Sequence, residues 1–142
     1  MRVMVLVKAN QDSEAGALPS RELITEMSKF NQELVNAGVM LSADGLHPSS
    51  KGVRVKFSGK TRTVIDGPFP ETKDLVGGYW IWKVNSMDEA VDWLKRAPFD
   101  GGAEVEIRQM FEAGEGCGAN QTPELREQEE SLREQLSGTA SH

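Results

Sequence analysis

Two segments of the chain repeat one order of elements, and this order restricts the fold more than any other feature. In residues 1–46 a valine-rich strand, "MRVMVLV", precedes an amphipathic helix and a second strand. In residues 77–110 an aromatic strand, "GGYWIWKV", precedes a helix and an alternating strand, "AEVEIRQM". A hairpin at residues 52–67 lies between the two units. Two strand–helix–strand units with a hairpin insertion predict a ferredoxin-like α+β sandwich, an antiparallel sheet with two helices on one face.

The limits of the two predicted helices follow from local signals. The first helix spans about residues 20–37, and its apolar stripe recurs at intervals of four, three and four residues: Leu23, Met27, Phe30 and Leu34. Gly38 follows as the expected C′ residue. Ser86 and Glu89 have the spacing of a capping box and predict the start of the second helix.

The central strands predict an association between two copies of the chain. Met4 and Leu6 alternate with valines, and Tyr79 and Ile81 alternate with tryptophans, so both strands are apolar on both faces. Two helices cover only one face of the sheet, which leaves a large apolar patch on the other. The same face of a second copy, stacked about a two-fold axis, would cover it. We therefore expect a homodimer, with a cleft that suits a small-molecule ligand.

The composition changes after the last predicted strand. We expect one domain at residues 1–112, a linker at residues 113–122 and a charged helical tail at residues 123–142, with Pro123 at the first helical position. The tail offers only three apolar side chains for burial: Leu125, Leu132 and Leu136. It is expected either to pack on a partner or to fray.

Charge and composition argue against several classes of function. The net charge is −6, which disfavours binding to nucleic acid or to an anionic membrane. No apolar run approaches the ~20 residues that span a bilayer, and the N-terminus lacks the features of a secretory signal. The only cysteine, Cys117, cannot form an intrachain disulfide, so we expect a cytoplasmic protein. With two histidines and no phosphate-binding loop, we predict no metal site and no cofactor.

The loop "DGPFPETK", residues 66–73, is unusually stiff for a connection between two strands. Its two prolines fix their own φ angles and bias the preceding residues towards extended conformations. The loop could hold Asp66, Phe69, Glu71 and Lys73 at a ligand site. It could equally be a structural latch, in which Asp66 binds backbone N–H groups and Phe69 fills the core. Trp80 on the following strand could likewise stack on a flat ligand or belong to the core.

A second turn, "SADGLHPSSKG", contains the only internal histidine. A neutral imidazole at His47 could act as a general base near neutral pH. The leading hypothesis is acid–base chemistry by His47, with Asp66 or Asp44 orienting its ring. Lys73 or Arg62 would then hold an anionic group of the substrate. The alternative is that His47 is merely exposed or hydrogen-bonded and that the domain binds without catalysing.

The stretch "DGPFPETKDLVGGYWIWKVNSMDEAVDWLKRAPF", together with "ADGLHPSSKGVRV", resembles the DGPF-domain branch of the YCII-related (YciI-like) family. The resemblance runs from Met1 to about Glu112. It implies a small bacterial cytoplasmic protein of ferredoxin-like fold that pairs as a dimeric α/β barrel.

The resemblance implies less about function, because the family is largely uncharacterised. Relatives have been proposed as enzymes on the basis of a histidine and an aspartate in a cleft. The familiar histidine lies on the first helix, and that helix has none here, so only His47 could replace it. Genes of the DGPF branch often lie beside genes for extracytoplasmic-function sigma factors. The resemblance therefore also implies an alternative, non-enzymatic regulatory role.

Overall fold

The computed structural model describes residues 1–99, 101–113, 115 and 122–140. The strands among them are β1 (Arg2–Lys8), β2 (Met40–Gly45), β3 (Val53–Ser58), β4 (Thr61–Asp66), β5 (Val76–Lys83) and β6 (Val105–Gln109). The α-helices are α1 (Gln11–Glu14), α2 (Arg21–Asn36), α3 (Met87–Lys95) and α4 (Pro123–Ala140). None of these helices combines the length and the apolar character needed to cross a membrane.

The four-stranded sheet has the order β2-β5-β1-β6, and all neighbouring strands are antiparallel. Helix α2 connects β1 to β2 across β5, and α3 connects β5 to β6 across β1. Each helix therefore joins two strands that are not neighbours. The α+β class is confirmed, and this topology is compatible with the predicted ferredoxin-like sandwich.

The core lies between the sheet and helices α2 and α3. Val3 and Val5 of β1 are directly opposite Trp82 and Trp80 of β5, and all four side chains are buried. The Phe30 ring of α2 meets the two indole rings edge-on, at centroid distances of 5.9 and 6.4 Å. Aromatic pairs in this geometry add to the stabilisation from burial.

Both core helices begin at a serine cap, and the sequence predicted the one at Ser86. The Ser20 hydroxyl accepts a hydrogen bond from the Leu23 N–H, and the Ser86 hydroxyl accepts one from the Glu89 N–H. The Glu89 carboxylate, however, accepts from the N–H of Asn85, one residue before the cap. Gly38 ends α2 with a φ of 72°, which is the conformation expected of a C′ glycine. Local capping therefore determines where both helices begin and where α2 ends.

Strands β3 and β4 form a separate two-stranded sheet that is exposed throughout. The register pairs Ser58 with Thr61, so the turn consists of Gly59 and Lys60. One face of this hairpin, hereafter the hairpin face, is apolar at its centre, with Val53, Val55, Phe57 and Val64, and has Arg62 and Asp66 at its two ends. Phe57 and Val64 are 69% and 64% exposed in the single chain.

The side of the four-stranded sheet that faces away from α2 and α3 is hereafter the outer sheet face. Met4, Leu6, Tyr79 and Ile81 lie on it, and each stays partly exposed in the single chain. The predicted apolar character of this face is thus present on β1 and β5, whereas β6 presents charged residues there. The single chain leaves the predicted dimer untested.

Two helices lie outside the strand–helix–strand units, and only the second of them was predicted. Residues 11–14, expected to be loop, form α1, because Asn10 and Ser13 make a reciprocal capping box. The tail helix α4 begins at Pro123, as the sequence predicts, and continues to Ala140. Most of the predicted linker, with Cys117, lies outside the described residues, as does His142.

Candidate functional site

Two adjoining cavities open at one end of the four-stranded sheet. The larger, of about 1010 Å³, lies between the end of β1, residues 70–74 and residues 102–104. The smaller, of about 480 Å³, lies between α2 and the glycine-rich ends of β2 and β5. Both volumes are in the usual range for small-molecule sites. The cavities share Val7, Lys8, Asn10 and Phe99, so they adjoin, and the two are hereafter called the compartments of the cleft.

The larger cavity is lined by groups of both charges. Lys73 and Asp74 come from the short turn at the end of the DGPF loop, and Glu104 comes from the segment before β6. Lys73 makes no ion pair with any residue that the structure describes. Lys8 also reaches the cavity, but its Nζ lies 3.3 Å from a carboxylate oxygen of Glu106. Lys73 is therefore the lining cation most available to an anionic ligand.

The carboxylate of Glu106 is held by two cations beside this cavity. Arg108 and Lys8 both donate hydrogen bonds to it, and they lower the pKa of Glu106 below its ordinary value of 4.5. Partial burial opposes this shift without reversing it. Lys8 is therefore already engaged in an ion pair, in which it shares the single negative charge of Glu106 with Arg108.

The smaller cavity is mainly apolar and contains part of the aromatic core. Met27 of α2, Phe99 and Trp80 contribute to its walls. The indole Nε1 of Trp80 donates a hydrogen bond of 2.9 Å to the side-chain oxygen of Asn31. Trp80 is only 5% exposed and packs against Trp82, so it is a core residue with one edge on the cavity. The sequence allowed Trp80 to be either a core residue or a residue that stacks on a ligand, and its position is compatible with both.

The backbone of the DGPF loop is latched onto the turn that follows His47. The Gly67 N–H donates to the Gly52 carbonyl, and the Phe69 N–H donates to the Ser49 hydroxyl at 3.0 Å. Ser49 in turn donates through both its N–H and its hydroxyl to the Glu14 carboxylate of α1. The loop, the turn and α1 therefore form one hydrogen-bonded unit, which holds residues 70–74 beside the larger cavity.

Phe69 and Glu71 share one partner on the hairpin. The Arg54 guanidinium lies over the Phe69 ring, 3.8 Å from its centroid, and its Nη1 is 3.2 Å from the Glu71 carboxylate. Glu71 lines the larger cavity, whereas Phe69 does not. Arg54 was not singled out from the sequence. Its stacking and ion pair fix the direction in which residues 69–71 leave the hairpin.

The three residues of the acid–base hypothesis are not joined in the single chain. His47, Asp44 and Asp66 are exposed, and no hydrogen bond or ion pair connects His47 to either carboxylate among the described residues. Asp44 lines the smaller cavity and accepts a 3.3 Å hydrogen bond from the Tyr79 hydroxyl. Asp66 ends β4 opposite Val53. The catalytic role of these residues stays a prediction.

Arg62 lies at the tip of the hairpin. Its Nη1 donates to the carbonyls of Gly59 and Thr61, and its guanidinium lies 4.6 Å from the centroid of the Phe57 ring. Asp66 is four positions further along the extended strand, or roughly 13 Å away. Of the two cations proposed to hold an anionic group, only Lys73 lines the cleft.

A model of the YCII-related domain family matches residues 1–113, which is most of the chain. The chain belongs to the YCII-related family. An uncharacterised protein of Rhizobium meliloti strain 1021 is 27% identical to this YCII-related domain over 113 residues. That match covers 75% of the present chain and 91% of the relative. The family prediction is confirmed, whereas membership of the DGPF branch stays a prediction.

Several residues that line the two cavities were not found by the sequence analysis. Asn31 belongs to α2, and the sequence analysis considered only the apolar stripe of this helix. Phe99 and Glu104 lie in the connection between α3 and β6, which has no motif. Asn10 alone had a local signal, since Asn10 and Ser13 have the spacing of an N-cap pair. No three metal-binding side chains of the described residues are grouped so that they could hold a metal ion.

Proposed function

We propose that this YCII-related domain binds a small anionic molecule in the cleft at the end of its sheet. The observation that carries the proposal is Lys73, a cation that makes no ion pair within the described part of the chain and lies on the wall of a cavity of about 1010 Å³. The latch between the DGPF loop, Ser49 and Glu14 supports it, because the latch fixes the segment that presents Lys73. A preorganised segment loses little entropy when a ligand binds.

A screen of small carboxylates and phosphates by backbone amide NMR tests this proposal. Ligands should shift the resonances of residues 70–74 and 102–104, and Lys73→Ala should weaken binding about tenfold, since a charge-assisted hydrogen bond is lost. Lys56→Ala on the hairpin is the matched control and should bind as the wild type does. Equal affinities for Lys73→Ala and the wild type would refute the proposed role of Lys73.

A more specific version of the proposal is that His47 acts as the acid–base catalyst on the bound ligand. A general base must reach its substrate directly or through one water. Among the residues that the structure describes, no carboxylate forms a hydrogen bond or an ion pair with His47. A bound ligand or a second copy would have to complete the site. Ligands from the screen should then be converted by the wild type and not by His47→Gln. Equal turnover by both proteins would exclude His47 as the catalytic base. If neither protein converts the ligands, the domain binds them without catalysis.

We also propose a homodimer of the α/β barrel type, formed by stacking the outer sheet faces. The partly exposed side chains of Met4, Leu6 and Ile81 support it, as does the resemblance to the family. The hairpin face, with Phe57 and Val64, is a second apolar surface that a partner copy could cover. Cover of both surfaces would remove apolar area from water and thereby stabilise the dimer.

A second candidate function is that of a regulatory module that binds a protein. It is favoured by α4, where Leu125 and Leu132 are half or more exposed and lie two helical turns apart on one face. The genomic association implied by the DGPF resemblance suggests an extracytoplasmic-function sigma factor as the partner. Leu132→Glu in the full chain should abolish such binding and leave ligand binding in the cleft intact. Full retention of sigma-factor binding would exclude α4 as the contact.

A further inference from the structure

The smaller cavity of the cleft exists because residues at the ends of two strands lack side chains. On the helix-facing side, Ala43 and Gly45 of β2 are directly opposite Trp80 and Gly78 of β5. A Cβ atom built on Gly45 would meet no other atom within 4 Å. A Cβ atom on Gly78 would lie 3.2 Å from the Asp44 carbonyl oxygen. The open volume is therefore next to Gly45, whereas Gly78 permits the close approach of β2.

The walls of this space combine apolar surface with one fixed amide. Met27, Trp80 and Phe99 supply apolar and aromatic surface. The side-chain oxygen of Asn31 is occupied by the Trp80 indole N–H, which fixes the orientation of the amide. Its Nδ2 group has no hydrogen-bond partner among the residues that the structure describes, so it can donate to an acceptor on a ligand.

The polar and the apolar compartments adjoin. Val7, Asn10 and Phe99 line both cavities, so the space beside Lys73 and the space beside Gly45 border the same residues. A ligand that fills both compartments must therefore have an anionic group at one end and apolar bulk at the other. A ligand with apolar bulk alone would leave Lys73 without a partner, and a small inorganic anion would leave the apolar walls in contact with water.

We infer that the cleft recognises amphipathic organic anions, with the anionic group at Lys73 and a hydrophobic chain or ring in the cavity beside Gly45. This inference rests on the proposed function, since it names the class of ligand for the same site. The apolar compartment sets which anions bind, because each methylene group that leaves water increases the affinity by about fourfold.

The test is a series of straight-chain carboxylates, from acetate to octanoate, titrated into the full chain. Binding is followed at residues 70–74, at the Trp80 indole N–H and at the Asn31 side-chain amide. In the wild type the affinity should rise with each added methylene group. Gly45→Leu fills the empty space and should abolish the rise, and Gly45→Ala should reduce it. Lys73→Ala should weaken every member of the series by a similar factor and leave the dependence on length intact.

Ser42→Leu is the matched control. Ser42 lies on the same strand but is opposite Ile81, so its side chain belongs to the outer sheet face. It adds the same apolar side chain without entering the cavity, and the dependence on chain length should persist. Thermal unfolding of each variant checks that it remains folded under the conditions of the titration.

The outcomes separate this inference from the proposed function. If Gly45→Leu keeps the wild-type dependence on length, the hydrophobic chain binds elsewhere and the inference is wrong. If acetate shifts residues 70–74 and longer chains bind no better, the inference again fails, but the proposed anion site stands. If no member of the series affects residues 70–74, both are refuted for carboxylates.

Discussion

Trp80 and Trp82 lie on the same face of β5, yet their indole N–H groups have different surroundings. The Trp80 Nε1 donates to Asn31, whereas the Trp82 Nε1 is buried and has no hydrogen-bond partner among the described residues. A satisfied polar group in the interior is stabilising, and an unsatisfied one carries the cost of its desolvation. Two residues of the same type thus contribute differently to the free energy of unfolding.

Replacing each tryptophan with phenylalanine should show this difference. Both substitutions remove the same atoms, but only Trp80→Phe also breaks a hydrogen bond. We expect Trp80→Phe to lower the free energy of unfolding by about 1 kcal/mol more than Trp82→Phe, as measured by urea denaturation. In an Asn31→Ala background the extra cost of Trp80→Phe should disappear. A larger loss for Trp82→Phe would show that packing, and not the hydrogen bond, dominates at β5.

The backbone around Gly67 of the DGPF loop leaves no room for a side chain. A Cβ atom there would lie 1.7 Å from the carbonyl oxygen of Ser49, a backbone atom that cannot rotate away. At Gly52, by contrast, a Cβ atom would lie 3.4 Å from the same oxygen, which is close to an ordinary contact. The glycine of "DGPF" is therefore required by the latch.

Gly67→Ala should accordingly destabilise the protein much more than Gly52→Ala. We expect a loss at or above the upper end of the ~1–3 kcal/mol typical of overpacking for Gly67→Ala, and under ~1 kcal/mol for Gly52→Ala. Thermal unfolding measures both. Faster hydrogen exchange of the Phe69 amide should accompany Gly67→Ala, since the latch must open. Similar stability of the two variants would mean that the loop adapts without cost.

At the scale of elements, one ion pair ties the segment after β6 back to β1. The Glu112 carboxylate accepts hydrogen bonds from the backbone N–H of Arg2, at 3.1 Å, and from its guanidinium, at 3.3 Å. These bonds from Arg2 lower the pKa of Glu112 below its ordinary value of 4.5. The contact fixes the point at which the chain leaves the sheet towards α4.

The stability of this contact should depend on pH. Because the folded-state pKa of Glu112 lies below 4.5, the ionised carboxylate favours the folded state above that pH. Its contribution is lost as the pH falls from 4.5 through the folded-state pKa. Glu112→Gln should therefore lose less thermal stability than the wild type on acidification over this range. Glu124→Gln on α4 removes a charge elsewhere and should follow the wild type. Parallel curves for the wild type and Glu112→Gln would contradict the role of the pair.

At the scale of the whole molecule, the proposed dimer predicts the mass of the particle in solution and a substitution that should dissociate it. The 15.6 kDa chain should sediment at twice this mass. Ile81→Glu places a charge on the outer sheet face between Met4 and Ser42 and should yield a folded monomer. Leu125→Glu makes a comparable change on α4 and should leave the dimer intact. A monomeric wild type, or a dimeric Ile81→Glu, would exclude this interface.

Much of the architecture is determined locally in the sequence. Hydrophobic periodicity and caps such as Ser20, Ser86 and Gly38 act over one or two helical turns, so they locate α2, α3 and the hairpin without reference to the rest of the chain. The two prolines likewise predict a stiff DGPF loop. The short α1 was missed, although Asn10 and Ser13 signal its start, because four residues show no apolar period.

Only the tertiary structure decided what these elements form together. It joined Glu14, Ser49 and Phe69, which are 35 and 20 residues apart, into the latch of the DGPF loop. It placed Lys73 on the cleft and left Arg62 at the hairpin tip, although both are cations near one motif. It also opened a cavity beside Gly45. Latches and cavities depend on contacts between residues that are distant in sequence, whereas periodicity and capping describe only neighbours along the chain.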